Sequence, residues 1–195
     1  MQKRSIETRT HILEAALECF ARSGYDATGV AEICDAAGVS KGAFYHHFPT
    51  KQAVFLALMH DWLRNIDILM DASRAGAQST PQAIYQMSEM MTSVFDQARG
   101  QLPLFLEFWT QASHDTQIWQ AVLEPYQRYA DYFSTIVKGG IAEGSLKSVD
   151  PDVAARVIVS LALGLLLQGV LDPEGADWGK VTQQSIRFLL TGLEK

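Results

Sequence analysis

The stretch from Thr28 to Lys51, TGVAEICDAAGVSKGAFYHHFPTK, holds the residue types most able to do chemistry. Ser40, Lys41, Gly42 and Ala43 place small residues and one base at the start of a short helical segment. Small side chains let a backbone approach another surface closely. Tyr45 and His46 project from the same segment with nothing expected beneath them, whereas Phe44 and Phe48 read as its core side. A base, a phenol and an imidazole beside bare backbone suit a helix that enters the major groove of double-stranded DNA and touches the phosphates on its walls. The first turn of such a helix also offers free backbone N–H groups to phosphate. Thr28 reads as the N-cap of the helix before it.

These residues need a frame, and the flanking pattern supplies one. Val30, Ile33 and Cys34 are the inward positions of a helix that Gly38 stops, and Val39 fills the angle before Ser40 caps the next helix, 41–46. Helix, glycine turn and short helix make a helix-turn-helix. Ile12, Leu13, Ala16, Leu17 and Phe20 recur at three and four residues, which predicts an amphipathic helix over 6–23, ended by Gly24. Phe48-Pro49 breaks the short helix, and Thr50 caps a long fourth one. Further helices are expected over 81–100, from Pro103, from Asp115 with Pro125 inside it, from Pro151 to about Leu171, and over 178–190. The reading is all-α, about nine helices, with an N-terminal three-helix DNA-binding domain at 1–51 and a helical domain at 52–195.

In this segment the chain resembles the TetR family of transcriptional regulators. The resemblance rests on Ile12-Leu13-x-Ala15-Ala16, Phe20 with Gly24-Tyr25, Ala37-Gly38-Val39-Ser40-Lys41-Gly42, Phe44-Tyr45-His46-His47-Phe48 and Lys51. It implies that Thr28 and Gly29 meet phosphate at the start of the second helix. It implies that Ser40, Lys41, Gly42 and Ala43 approach bases, that Tyr45 and His46 clamp the backbone, and that Lys51 adds a phosphate contact. Gly29 departs from the pattern, which often has a second hydroxyl there. The resemblance further implies a body that binds a small-molecule effector and dimerises through its last two helices. Ser160, Ala162, Gly164 and Gly169 among the leucines of the eighth helix suit close helix packing. An isologous dimer would set two reading helices in successive major grooves, ~34–36 Å apart, on a pseudo-palindromic operator.

The aromatic and methionine residues of the body have two readings, plain core or the lining of a cavity. For a single residue core is favoured; for the set the resemblance implies an inducer pocket. Trp62, Met87, Phe108 and Trp109 are the first candidates to line it, and Ile66, Met91, Trp119 and Tyr126 the next. Glu107 and Gln111 are equally polar anchors or surface. An apolar or aromatic effector would fit such a lining.

Composition narrows the alternatives. The chain of 195 residues is 48% apolar, enough for a real core. Its net charge of −6 argues against a protein that coats nucleic acid. Residues 1–51 carry six bases and six acids, so the deficit lies beyond them. Cys19 and Cys34 fall at core spacing and read as buried thiols. The polar N-terminus shows no secretion signal, and the apolar run Val157–Leu171 falls short of the ~20 residues of a membrane span, so a cytoplasmic chain without a membrane partner is expected. His46-His47, His60-Asp61 and His114-Asp115 lack further ligands at metal spacing, and neither metal nor cofactor is implied. No phosphate loop, nucleophile elbow or paired carboxylates support an enzyme. An enzyme using the body's cavity would need a reactive group of strongly shifted pKa there, and the other alternative is a DNA-binding regulator controlled by a partner protein.

Overall fold

The computed structural model describes residues 2–98 and 102–194, all but a few with their side chains. Among them the chain is all-α. Ten helices follow one another: α1 Gln2–Ser23, α2 Val30–Ala37, α3 Lys41–His47, α4 Lys51–Arg74, α5 Thr80–Glu89, α6 Met91–Ala98, α7 Leu102–Ala112, α8 Thr116–Glu143, α9 Pro151–Leu171 and α10 Trp178–Leu193. An isolated antiparallel bridge joins Leu146 to Glu194.

The tenth helix arises from a break. A single helix was expected over 81–100, but Met90 separates α5 from α6. In the last turn of α5 the Ser88 hydroxyl donates to Tyr85 O at 2.6 Å, a back-bond that often accompanies a bend. Helix ends elsewhere follow from side-chain chemistry. Ser40 accepts from Ala43 N, Thr50 from Ala53 N, and Asp115 from Gln117 N and Ile118 N. Asp150 accepts from Asp152 N and Val153 N, with Pro151 in the first turn of α9. Thr28 is not the N-cap of α2: that position belongs to Gly29, which has no side chain to donate to or accept from. α1 also begins earlier than the apolar pattern indicates, at Gln2.

The chain forms two compact units. One comprises Met1–Arg64 with Gly100–Val122, the other Asn65–Arg99 with Leu123–Lys195. In the first, Ile12, Phe20, Ile33, Phe44, Val54 and Phe55 are at most 1% exposed and hold α1 to α4 together. Phe20, Tyr25 and Phe55 form an aromatic cluster, with Tyr25 and Phe55 ring centroids 4.6 Å apart. α7 packs on α1 in this unit. In the second, α10 packs on α5, α6 and α9 around Ile84, Ile158, Ile186 and Leu190. The absent side chain of Gly179 lets α10 come close to α6 at Thr92.

Candidate nucleic-acid interface

The reading helix is aimed by backbone conformation. Gly38 takes the left-handed conformation, φ 65° and ψ 33°, that a residue with a Cβ rarely adopts. Its N–H donates to Asp35 O, and that of Val39 to Cys34 O at 3.0 Å, closing α2 and turning the chain into α3. Ser40 Oγ then accepts from Ala43 N at 3.1 Å and starts α3. Phe44 and Phe48 lie inward at 0% and 4% exposure and fix which face of α3 looks out. That outward face carries Ser40, Lys41, Gly42, Tyr45 and His46, all exposed, with Ala43 half-buried at its edge. The Tyr45 ring stands edge-on to Phe44, centroids 5.4 Å apart.

Gly42 has no internal reason to be glycine. A Cβ there would meet nothing closer than Ser40 Oγ at 3.8 Å, and no unusual φ requires its freedom. Glycine within a helix is destabilising by about 1 kcal/mol relative to alanine. A surface outside the chain that approaches the backbone closely would account for it.

Two expected phosphate contacts have other partners here. Thr28 is 1% exposed, and its hydroxyl donates to Gly24 O at 2.7 Å and to Cys19 O at 3.2 Å. Its side chain ties the α1–α2 loop to the end of α1. Lys51 Nζ donates to Tyr25 O at 2.6 Å and Thr28 O at 2.9 Å, and lies 4.2 Å from the centre of the Tyr25 ring. Burial pushes its ammonium below the usual lysine range, against the pull of Asp26 and Glu107. Gly29 is exposed beside them.

The body residues fared unevenly. Met87 is 5% exposed, and Tyr132 donates its hydroxyl to the Met87 sulfur at 3.8 Å. Trp62, Ile66, Met91 and Tyr126 are half-buried. Trp109 and Trp119, expected in an enclosed lining, are 49% and 46% exposed. The side chain of Phe108 lies outside the described residues. Glu107 and Gln111 serve each other: Gln111 Nε2 donates to Glu107 Oε1 at 2.9 Å and to Asp26 Oδ1 at 3.2 Å. With Gln52 donating to Asp115 at 3.0 Å, these bonds fasten the end of α7 and the start of α8 into the first unit.

One polar cluster escaped the sequence reading. Arg128 grips Asp67 with both terminal nitrogens, at 2.7 and 3.2 Å, and the Tyr129 hydroxyl donates to Asp67 Oδ1 at 2.9 Å. Burial, with that carboxylate beside it, pushes Tyr129 well above the usual phenol range. The available signal was an aspartate set among Ile66, Ile68, Leu69 and Met70. Cys19 and Cys34 are both buried, and burial pushes both thiols up.

A short helix whose inner side is phenylalanine and whose outer side is small, basic and phenolic, set on a glycine-turned helix pair, defines a helix-turn-helix DNA-binding protein. The family model described as "Bacterial regulatory proteins, tetR family" matches residues 12–58, and that described as "BetI-type transcriptional repressor, C-terminal" matches residues 81–193. The chain therefore belongs to the TetR family of transcriptional regulators, with a C-terminal part of the BetI type. It is 25% identical to the regulator UidR of Escherichia coli over 99% of this chain and 96% of that one. Among solved structures, a regulator from Saccharomonospora viridis in complex with choline matches 97% of this chain and 98% of its own, with TM-score 0.78 and 21% identity. FadR from Bacillus subtilis in complex with stearoyl-CoA covers 94% of this chain and 98% of its own, with TM-score 0.80 and 20% identity.

Proposed function

We propose that this regulator is a dimeric repressor whose residues 1–51 read a pseudo-palindromic operator and whose body, residues 52–195, binds a small effector that releases it. The observation that carries the reading is the outward face of α3: Ser40, Lys41, Gly42, Tyr45 and His46 are exposed, while Phe44 and Phe48 anchor the helix from behind. Phosphate contacts come from Tyr45, His46 and the N-terminal turns of α2 and α3, and base contacts from Ser40 to Ala43.

The partner is a second copy of the chain. Val153, Val157, Ser160, Gly164, Leu167 and Leu171 recur along α9 at alternating steps of four and three, the period of a helix seam. Apart from the half-buried Gly164 they are exposed, and Phe188 on α10 is 78% exposed. Such a surface is covered in a working protein. α9 is also long and apolar enough to pass for a membrane span, but its buried side packs on α6 and α10 of the same chain and its seam is explained by pairing with a twin. A protein that works on chromosomal DNA is cytoplasmic in a bacterium.

The effector is apolar or aromatic, and within the second unit Ile66, Met87, Met91 and Tyr126 are the candidates to hold it. The two similar structures with choline and stearoyl-CoA support a ligand-binding body of this fold. The ligand shifts the dimer between operator-binding and released states only as far as it binds one better.

Selection of genomic fragments by the purified protein at two salt concentrations tests the reading. Enrichment of one pseudo-palindrome, with affinity falling steeply as salt rises, is the expected result. A folded dimer, stripped of bound small molecules, that enriches nothing would remove sequence-specific repression from consideration.

A further inference from the structure

Lys51 opens α4 immediately behind the reading helix, where the family resemblance implies a phosphate contact. Its surroundings describe a different task. Three backbone carbonyls converge on Nζ: Tyr25 O at 2.6 Å, Thr28 O at 2.9 Å and Asp26 O at 3.4 Å. An ammonium has three protons and no acceptor, so three carbonyls occupy it fully. The Tyr25 ring takes the same charge at 4.2 Å, and that ring is wedged between Phe20 and Phe55.

The other end of the loop is also fixed. Thr28 donates to Gly24 O and Cys19 O, so the loop is tied to α1 through a hydroxyl and to α4 through an ammonium. α2 begins directly after it, with Gly29 as a cap that makes no side-chain bond. The Gly29 carbonyl accepts from Ile33 N at 3.2 Å, but no side chain at the cap braces the first turn of α2. Withdrawing Lys51 toward a phosphate would leave the carbonyls of Tyr25 and Thr28, both in part-buried bonds, without this donor.

We infer that Lys51 is a positioning residue. It clamps the α1–α2 loop to the first turn of α4, setting the first turn of α2 relative to α3, and its charge is not delivered to DNA. The inference rests on the reading of α2 and α3 as the DNA-binding surface.

Lys51→Met and Lys51→Arg, measured for operator affinity across a salt series, separate the two roles. A clamp predicts that both variants lose about tenfold or more in affinity, the scale of a lost charge-assisted bond. It also predicts that log affinity against log salt keeps the wild-type slope. Arginine does not rescue, because a planar fork cannot replace a compact ammonium among three carbonyls. A phosphate contact predicts a slope reduced by about one and near-normal affinity for Lys51→Arg. That result overturns the inference, as does unchanged affinity in Lys51→Met.

Reductive methylation of the wild-type protein gives a second measurement that no folding defect can obscure. In the free protein Lys51 should react much more slowly than exposed Lys41, and adding operator should leave the Lys51 rate unchanged. Fast reaction in the free protein, suppressed by DNA, overturns the clamp. A wild-type protein that finds no operator defeats the functional reading instead, and the methylation of the free protein still decides the clamp.

Discussion

Tyr45 is the clearest test at the scale of single residues. Its ring is exposed while Phe44 beside it is fully buried, so Tyr45→Phe leaves α3 anchored and removes one hydroxyl. Loss of a hydrogen bond to a charged phosphate weakens binding by about tenfold, and by a similar factor for every DNA sequence. Competition against operator variants with single base changes measures this; a loss confined to one base position contradicts the phosphate role. Gly42→Leu isolates close approach. The open space there accepts a side chain, and leucine gains up to about 1 kcal/mol of helix propensity, so thermal stability holds or rises. Operator binding is lost, as a mobility-shift titration would show. Ser40, Lys41, Tyr45 and His46 were legible because residue type and helical spacing determine an outward stripe. The partners of Thr28 and Lys51 were not. They are backbone carbonyls of Cys19, Gly24, Tyr25 and Thr28, and carbonyl directions are not written in residue letters.

At the scale of elements, the Asp67–Arg128–Tyr129 cluster joins the second half of α4 to α8 within the second unit. Tyr129→Phe removes a hydrogen bond to a carboxylate and costs about 1.5–3 kcal/mol, read as a lowered denaturation midpoint. The raised phenol keeps its proton through the neutral and mildly alkaline range, so this contribution does not fade there. α9 has an acid-sensitive start. The Ser134 hydroxyl donates to Asp152, and Lys138 stands 3.7 Å away, which together hold the carboxyl below the usual range. A carboxylate with a lowered folded value stabilises above its unfolded value and loses that contribution as pH falls through the folded one. Asp152→Asn therefore shrinks the drop in melting temperature between neutral pH and about pH 3, checked by scans at both values. The break at Met90 lay beyond sequence reading because Ile84, Met87, Met91 and Val94 keep a helical spacing across it. Apolar periodicity reports which side faces inward, not whether each backbone bond is made.

For the whole molecule, the exposed seam of α9 with Phe188 predicts assembly. Phe188→Asp sets a charge in the dimer face while leaving the core side of α10, Ile186 and Leu190, intact. The variant should sediment as a folded monomer and bind operator poorly, because one reading helix cannot span two grooves. A dimer with wild-type affinity would place the interface elsewhere. Ser160 and Gly164 of α9 pointed to this face from the sequence, whereas Gly169, expected with them, packs within the chain against Phe95 and Trp178, and Phe188 gave no signal. A phenylalanine beside Ile186, Leu189 and Leu190 reads as core until the helix is seen in place. The grouping of residues 100–122 with the first unit was equally silent, since it depends on bonds such as Gln111 to Asp26 between segments far apart in the chain. The ion pairs of that unit have a further consequence. Arg22 is held by Glu32, Arg9 lies against Asp61, and Lys51 is turned onto the loop. Cations so engaged release fewer counterions on meeting DNA of arbitrary sequence, and titration of a non-specific duplex across a salt series should show a shallow slope.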